Sequence, residues 1–148
     1  MITHIGPGDL FQSKAQSLVV PVNTVGAMGK GIAKTFALNF PGLLEDYRRA
    51  CSRGVFSTRG LYVWEGAEDR KIICFPTKRH WRFRSQLPWL DQGLARLARD
   101  FEKYGITSIA MPQIGCGEGG LDWINVYPLI VEWLEPLPIP VEIYLSPT

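Results

Sequence analysis

Apolar positions along the chain follow two periods. Short runs rich in Val, Ile, Tyr and Trp, mostly bounded by Gly, Pro or Ser, occur at residues 2–5, 18–23, 60–64, 71–76, 108–111 and 141–145 and predict six β-strands. Elsewhere the spacing changes to three and four residues, predicting helices over 31–40, 42–53, 86–104 and 123–134. The third helix is the clearest. Leu87, Leu90, Leu94, Leu97, Ala98 and Phe101 share one face, and Gly105 supplies a C-terminal stop. The second closes similarly, with Arg53 ahead of Gly54. Strands alternating with helices imply an α/β fold with helices on both faces of a sheet. The link around Ala67, Glu68 and Asp69 is too short for a crossover helix. The strands on either side of it are therefore expected to be antiparallel, and the sheet mixed. With no repeat, low-complexity tract or linker, residues 1–148 read as one domain.

The strand at 108–111 runs into Gly115, Cys116, Gly117, Glu118, Gly119 and Gly120, four glycines in six residues, before a helical pattern begins near Asp122. A second loop of this kind follows the strand at 18–23, with Gly26, Gly29 and Gly31 ahead of an amphipathic run. A glycine-rich loop between strand and helix lets backbone N–H groups approach a ligand, and phosphates are the usual guest. Both loops fall at the carboxyl ends of predicted strands, where α/β sheets bind ligands. Two such cradles suit a diphosphate. The spacing Gly26-x-x-Gly29-x-Gly31 is not GxGxxG, and Lys30 lacks the spacing of a Walker A lysine. A dinucleotide dehydrogenase and a nucleoside triphosphatase are thereby disfavoured.

Composition adds little to this picture, whereas the distribution of charge changes it. Apolar residues make up 46% and charged residues 20%, with a formal charge of +2, which is ordinary for a globular domain. From Arg70 to Leu90, however, there is no carboxylate, while Arg70, Lys71, Lys78, Arg79, Arg82 and Arg84 fall there with His80, Trp81, Phe83 and Trp89. Basic residues interleaved with aromatics suit an anionic, base-bearing partner, and equally describe a solvated basic loop. Cys51, Cys74 and Cys116 are an odd count without CxxC spacing, which argues against a disulfide framework and a zinc cluster and for a reducing compartment. With no membrane-length apolar stretch and no signal-like N-terminus, the chain is expected to be cytoplasmic.

Three side chains carry candidate chemistry. Cys116, between two glycines, could be a nucleophile on a strand-to-helix turn if His4 or His80 supplied a base, or a small residue allowing close loop packing. Lys78 directly follows an apolar strand and precedes Arg79; burial and the neighbouring charge would both disfavour its ammonium form, as a nucleophilic or Schiff-base lysine requires. A salt-bridged structural lysine fits the same position. Asp9 could accept a hydrogen bond from an exocyclic amine or cap a short helix.

Taken together these residues resemble the macro domain, an ADP-ribose-binding fold. The resemblance runs through Gly8, Asp9 and Leu10, through Pro21, Val22 and Asn23, the loop at 26–31, and Thr77, Lys78 and Arg79. It continues through Met111, Pro112, Gln113, Ile114, Gly115, Cys116 and Gly117 to Leu121, Asp122, Trp123, Ile124 and Asn125. The last two stretches are similar to the branch holding the terminal ADP-ribose protein glycohydrolase and the DarG antitoxins, which clear ADP-ribose from DNA. The resemblance implies a three-layer α-β-α fold with a mixed sheet of about six strands. It implies adenine held by Asp9 beside Leu10, a distal ribose at Asn23, and a diphosphate on the backbone of Gly29, Lys30, Gly31 and Ile32 and of Ile114, Gly115, Cys116, Gly117, Glu118 and Gly119. Lys78 occupies the branch's catalytic lysine position, and Arg79, His80, Trp81 and Arg82 would meet the base or DNA, His80 positioning the base or giving it a proton. Common hydrolytic macro domains carry a second asparagine after the second strand, where this chain reads Asn23, Thr24, Val25 and Gly26. Protein-directed hydrolases of the branch place an aspartate where Gly119 stands. That departure favours removal of ADP-ribose from a nucleobase, thymine before guanine, on single-stranded DNA, with a DarT-type toxin as partner and no metal or cofactor. Hydrolysis of ADP-ribose on protein glutamate and a non-catalytic ADP-ribose reader are the rival readings.

Overall fold

A single sheet carries the fold in the computed structural model, which describes residues 1–53, 60–66, 70–80 and 83–146. Its strands are β1 (Ile2–Ile5), β2 (Ser17–Asn23), β3 (Tyr62–Trp64), β4 (Lys71–Lys78), β5 (Ile109–Met111) and β6 (Val141–Tyr144), in the order β1-β6-β5-β2-β4-β3. Neighbours are parallel except β3 and β4, so the sheet is mixed. The link at 67–69 lies outside the described residues, as do Gly54, Trp81 and Arg82. The helices are α1 (Gly31–Asn39), α2 (Leu43–Ser52), α3 (Leu87–Asp100) and α4 (Trp123–Leu134), and none is long and apolar enough to cross a membrane.

Strand alternation divides the core in two. Leu18, Val20 and Val22 of β2, with Ile72 and Cys74 of β4, pack against Phe36, Leu43 and Tyr47 of α1 and α2. Val19, Ile73 and Phe75 point the other way, toward Leu90 and Leu94 of α3 and Val126 and Ile130 of α4. Because β2 and β4 are covered on both faces, their sequences read as continuous apolar runs rather than alternating ones.

The expected boundaries shift at two helically and functionally important ends. The last α-helical residue of α3 is Asp100, and turns carry the chain on to Tyr104. There Ile106 N–H donates to Phe101 O at 2.9 Å and Gly105 N–H to Glu102 O at 3.0 Å, a Schellman closure with Gly105 at φ +69°. Strand β4 runs two residues past the expected Pro76 and ends on Lys78.

Helix α3 approaches the sheet at Gly93, where a Cβ would lie 2.5 Å from Phe75 Cζ. Glycine in a helix interior is ordinarily about 1 kcal/mol worse than alanine. Here the buried ring reverses that balance. Gly93→Ala is expected to destabilise the fold by about 1–3 kcal/mol through overpacking, measured as the urea midpoint, and Gly93→Ala combined with Phe75→Leu should recover most of it.

Candidate active site

Strands β2 and β5 lie side by side, yet the chain leaves β2 toward α1 on one face and β5 toward α4 on the other. A crevice must open where adjacent strands send their connections to opposite faces. It is a cleft of about 610 Å³, lined from one side by Met28, Gly29, Lys30, Gly31, Ile32 and Ala33, from the other by Gly115, Cys116, Gly117, Glu118 and Gly119, with Asn23, Thr77 and Lys78 between.

The first wall is built on Asn23, 6% exposed at the end of β2. Its Oδ1 accepts from the N–H groups of Val25 and Gly26 at 3.1 Å and Ala27 at 3.2 Å, and its Nδ2 donates to Ala27 O at 3.0 Å. The Tyr47 hydroxyl of α2 contacts both the Asn23 carbonyl and Oδ1, one of which takes its proton. Burial, with Cys51 adding to it, pushes the Tyr47 phenol far above its ordinary range, so it stays a donor. Arg48 Nε completes the base by donating to Gly26 O at 3.2 Å. The loop then enters α1 at Lys30 with no side-chain cap. The first-turn amides of Gly31, Ile32 and Ala33 therefore face the cleft as helix N-terminal donors. A Cβ on Gly29 would meet nothing within 4 Å, so packing does not demand glycine there.

The second wall presents fewer amides than its glycines suggest. Ile114 N–H bonds Pro112 O, Cys116 N–H bonds Gln113 O, and Gly119 N–H bonds Cys116 O. The N–H groups of Gly115, Gly117 and Glu118 have no acceptor among the described residues. Ile114 is a fully buried core residue and does not line the cleft. Gly115 is held by packing, since a Cβ would sit 2.8 Å from Leu90 Cδ2, while Gly117, at φ +64°, faces open space.

Lys78 arrives through a β-bulge. The register pairs Val22 with Pro76 but Asn23 with Lys78, so Thr77 is the extra residue, and bulges of this kind re-aim side chains. Lys78 Nζ donates across the cleft to Glu118 O at 3.0 Å, joining β4 to the second wall. Behind that wall lies Ser85, 3% exposed, which the sequence reading missed. Its N–H donates to Gly119 O at 2.9 Å, and its Oγ lies 2.5 Å from where a Gly119 Cβ would be. Arg84 Nη2 donates to Gly120 O at 2.6 Å beside it. A side chain at position 119 would therefore have to displace the Ser85 hydroxyl.

The remaining sequence candidates stand further off. Asp9 caps the 3-10 turn Leu10–Gln12, its Oδ1 accepting from Phe11 N–H at 2.9 Å, and Leu10 is core; neither lines the cleft. Cys116 lines it, but burial and then Asp122 push its thiol up, away from the thiolate a nucleophile needs. His4 packs on Tyr127 and His80 on Phe83. Arg79 lies over the Trp89 ring at 5.3 Å, and its carbonyl accepts from Thr24 Oγ1 at 3.1 Å. Tyr47, Arg48 and Ser146 also escaped the sequence reading; each is set by a contact distant in sequence.

The Gly119 geometry gives a stability test. Gly119→Asp should lower the thermal midpoint by about 3–10 °C, the equivalent of about 1–3 kcal/mol of overpacking in a domain of this size. Gly119→Asp with Ser85→Gly should regain most of the loss in a differential scanning measurement.

Comparison with known proteins fits this geometry. The "DNA ADP-ribosyl glycohydrolase" of Mycobacterium tuberculosis is 41% identical over 141 residues, 93% of this chain and 40% of that protein. The chain thus spans about 40% of that relative's length. Among solved structures, the macrodomain of Mycobacterium tuberculosis DarG superposes with a TM-score of 0.92 at 40% identity, covering 100% of this chain and 99% of that one. Thermosipho africanus DarTG in complex with ADP-ribose gives a TM-score of 0.92 at 36% identity, covering 98% of this chain and 41% of that one. The Macro domain family profile matches residues 19–130, three-quarters of the length, and the chain belongs to the macro domain family.

Proposed function

We propose that this domain is an ADP-ribosyl glycohydrolase that removes ADP-ribose from nucleobases of single-stranded DNA, thymine first, and so acts as an antitoxin toward a DarT-type DNA ADP-ribosyltransferase. One observation carries the reading. Lys78 is aimed into the cleft by a bulge and reaches the wall at Glu118, while Ser85 fills the space an acid at position 119 would need. The catalytic burden falls on the lysine, as the names of the mycobacterial and Thermosipho relatives accord with.

In this reading the diphosphate lies between the α1 amides of Gly31, Ile32 and Ala33 and those of Gly115, Gly117 and Glu118, six donors from two walls. The distal ribose then rests over Asn23 and Lys78, lateral neighbours in the sheet. Lys78 acts at the anomeric carbon, directly or through an opened-sugar Schiff base. The N-glycosidic bond breaks, water supplies the hydroxyl to carbon, and the base leaves with a proton. His80, two residues on, is the donor of that proton in this scheme. Asp9 receives the adenine amine at the same carboxyl edge of the sheet, beyond β6.

The test pairs wild type and Lys78→Ala on ADP-ribosylated oligonucleotide and ADP-ribosylated peptide. Wild type should strip the oligonucleotide, and Lys78→Ala should lose at least about 10²-fold in rate, since the group acting at the reacting carbon is gone. ADP-ribose affinity, by calorimetry, should change far less. Lys78→Arg keeps the charge and the reach to Glu118, and should be nearly as inactive. Binding without turnover by wild type would identify a reader, and turnover of the peptide alone a protein hydrolase.

A further inference from the structure

Five residues beyond Lys78, and directly before the anchored Arg84 and Ser85, the chain exposes an aromatic side chain. Phe83 is 63% exposed and belongs to neither apolar cluster. Its ring packs at 5.5 Å and 48° against His80, and its N–H donates to His80 O at 3.1 Å. The loop ends are fixed on both sides. Thr24 Oγ1 and the Trp89 ring hold Arg79, and Gly120 O and Gly119 O take Arg84 Nη2 and Ser85 N–H. Phe83 directly precedes Arg84 and Ser85, which bond the second wall at Gly120 O and Gly119 O, and an exposed phenylalanine held there calls for a partner with an apolar face. The local charge specifies that partner further. No carboxylate occurs between Arg70 and Leu90, while Lys78, Arg79 and Arg84 flank the ring. A flat apolar ring among cations matches a nucleobase on a phosphate chain.

We propose that Phe83, backed by His80, stacks the nucleobase adjacent to the ADP-ribosylated one, so that the enzyme distinguishes a modified strand from a modified nucleoside. The inference rests on the glycohydrolase reading and adds a specificity-determining residue to it. In a duplex the neighbouring base is already stacked and paired, so its face is not available to the ring. The platform therefore selects single strands by stacking, and selects no particular sequence, because every base offers a π-face.

The experiment compares kcat/KM of wild type, Phe83→Ala and Phe83→Trp on an ADP-ribosylated oligonucleotide and on the ADP-ribosylated mononucleoside, with ADP-ribose binding as a check on folding. Phe83→Ala should lose about tenfold more on the oligonucleotide than on the mononucleoside, the effect of one stacked base, while Phe83→Trp keeps the wild-type preference. Equal loss on both substrates, or no loss on the oligonucleotide, overturns the proposal. If the ring serves a polypeptide instead, Phe83→Ala will impair an ADP-ribosylated peptide and spare the oligonucleotide. Wild type inactive on both nucleic-acid substrates would sink the glycohydrolase reading, a result distinct from a failed Phe83 effect.

Discussion

The buried carboxamide of Asn23 is the constraint on which the site depends. The central strand must end somewhere, and the turn that ends it leaves three N–H groups to be satisfied, that of Gly26 buried and those of Val25 and Ala27 partly so. Backbone donors buried without acceptors are strongly unfavourable. A single side-chain oxygen accepts from Val25, Gly26 and Ala27, and Tyr47 completes the arrangement from α2. With the turn fixed, the chain emerges at Gly29 in a definite direction and α1 begins with its first amides toward the cleft. The same residue neighbours Lys78 across the bulge, so the wall of α1 amides and the Lys78 side chain are referenced to one point.

Much of this was legible in the sequence because it is periodic or punctuated by glycine. All six strands and four helices fall within a few residues of the patterns that predicted them, and the antiparallel pair follows from the length of its link. The loops with Gly26, Gly29 and Gly31 and with Gly115, Gly117 and Gly119 do meet in one cleft. What stayed hidden depends on contacts distant in sequence. No local signal marks the extra residue at Thr77, which requires knowing the partner strand's register. Ser85 reads as an ordinary loop serine until α3 and the second wall are brought together. The glycine count overstated the second cradle, since sequence cannot show that the amides of Ile114, Cys116 and Gly119 are spent on the loop's own turns.

The basic, aromatic segment illustrates the limit of reading charge as function. Its described arginines do not simply project toward a polyanion. Arg84 holds a loop carbonyl and Arg79 covers an indole, so both contribute to building the wall while keeping their charge close to it. A guanidinium can do both because it is always charged and offers several donors in a plane. Positive potential and mechanical support come from the same side chains, which is why composition alone left a solvated loop and a binding surface equally open.

The division of the core into two apolar halves has a consequence for what the cleft can admit. One wall stands on α1 and α2, the other on α3 and α4, with the sheet between the two apolar halves. Strands β2 and β5 pair at Ser17 with Ile109 and at Leu18 with Ala110, and β2 then runs on to Asn23 beyond that ladder. The walls therefore diverge past the shared hydrogen bonds, each carried by its own helices. Repacking either core shifts one wall against the other, so the width of the cleft is open to adjustment from both sides while the sheet beneath stays as it is.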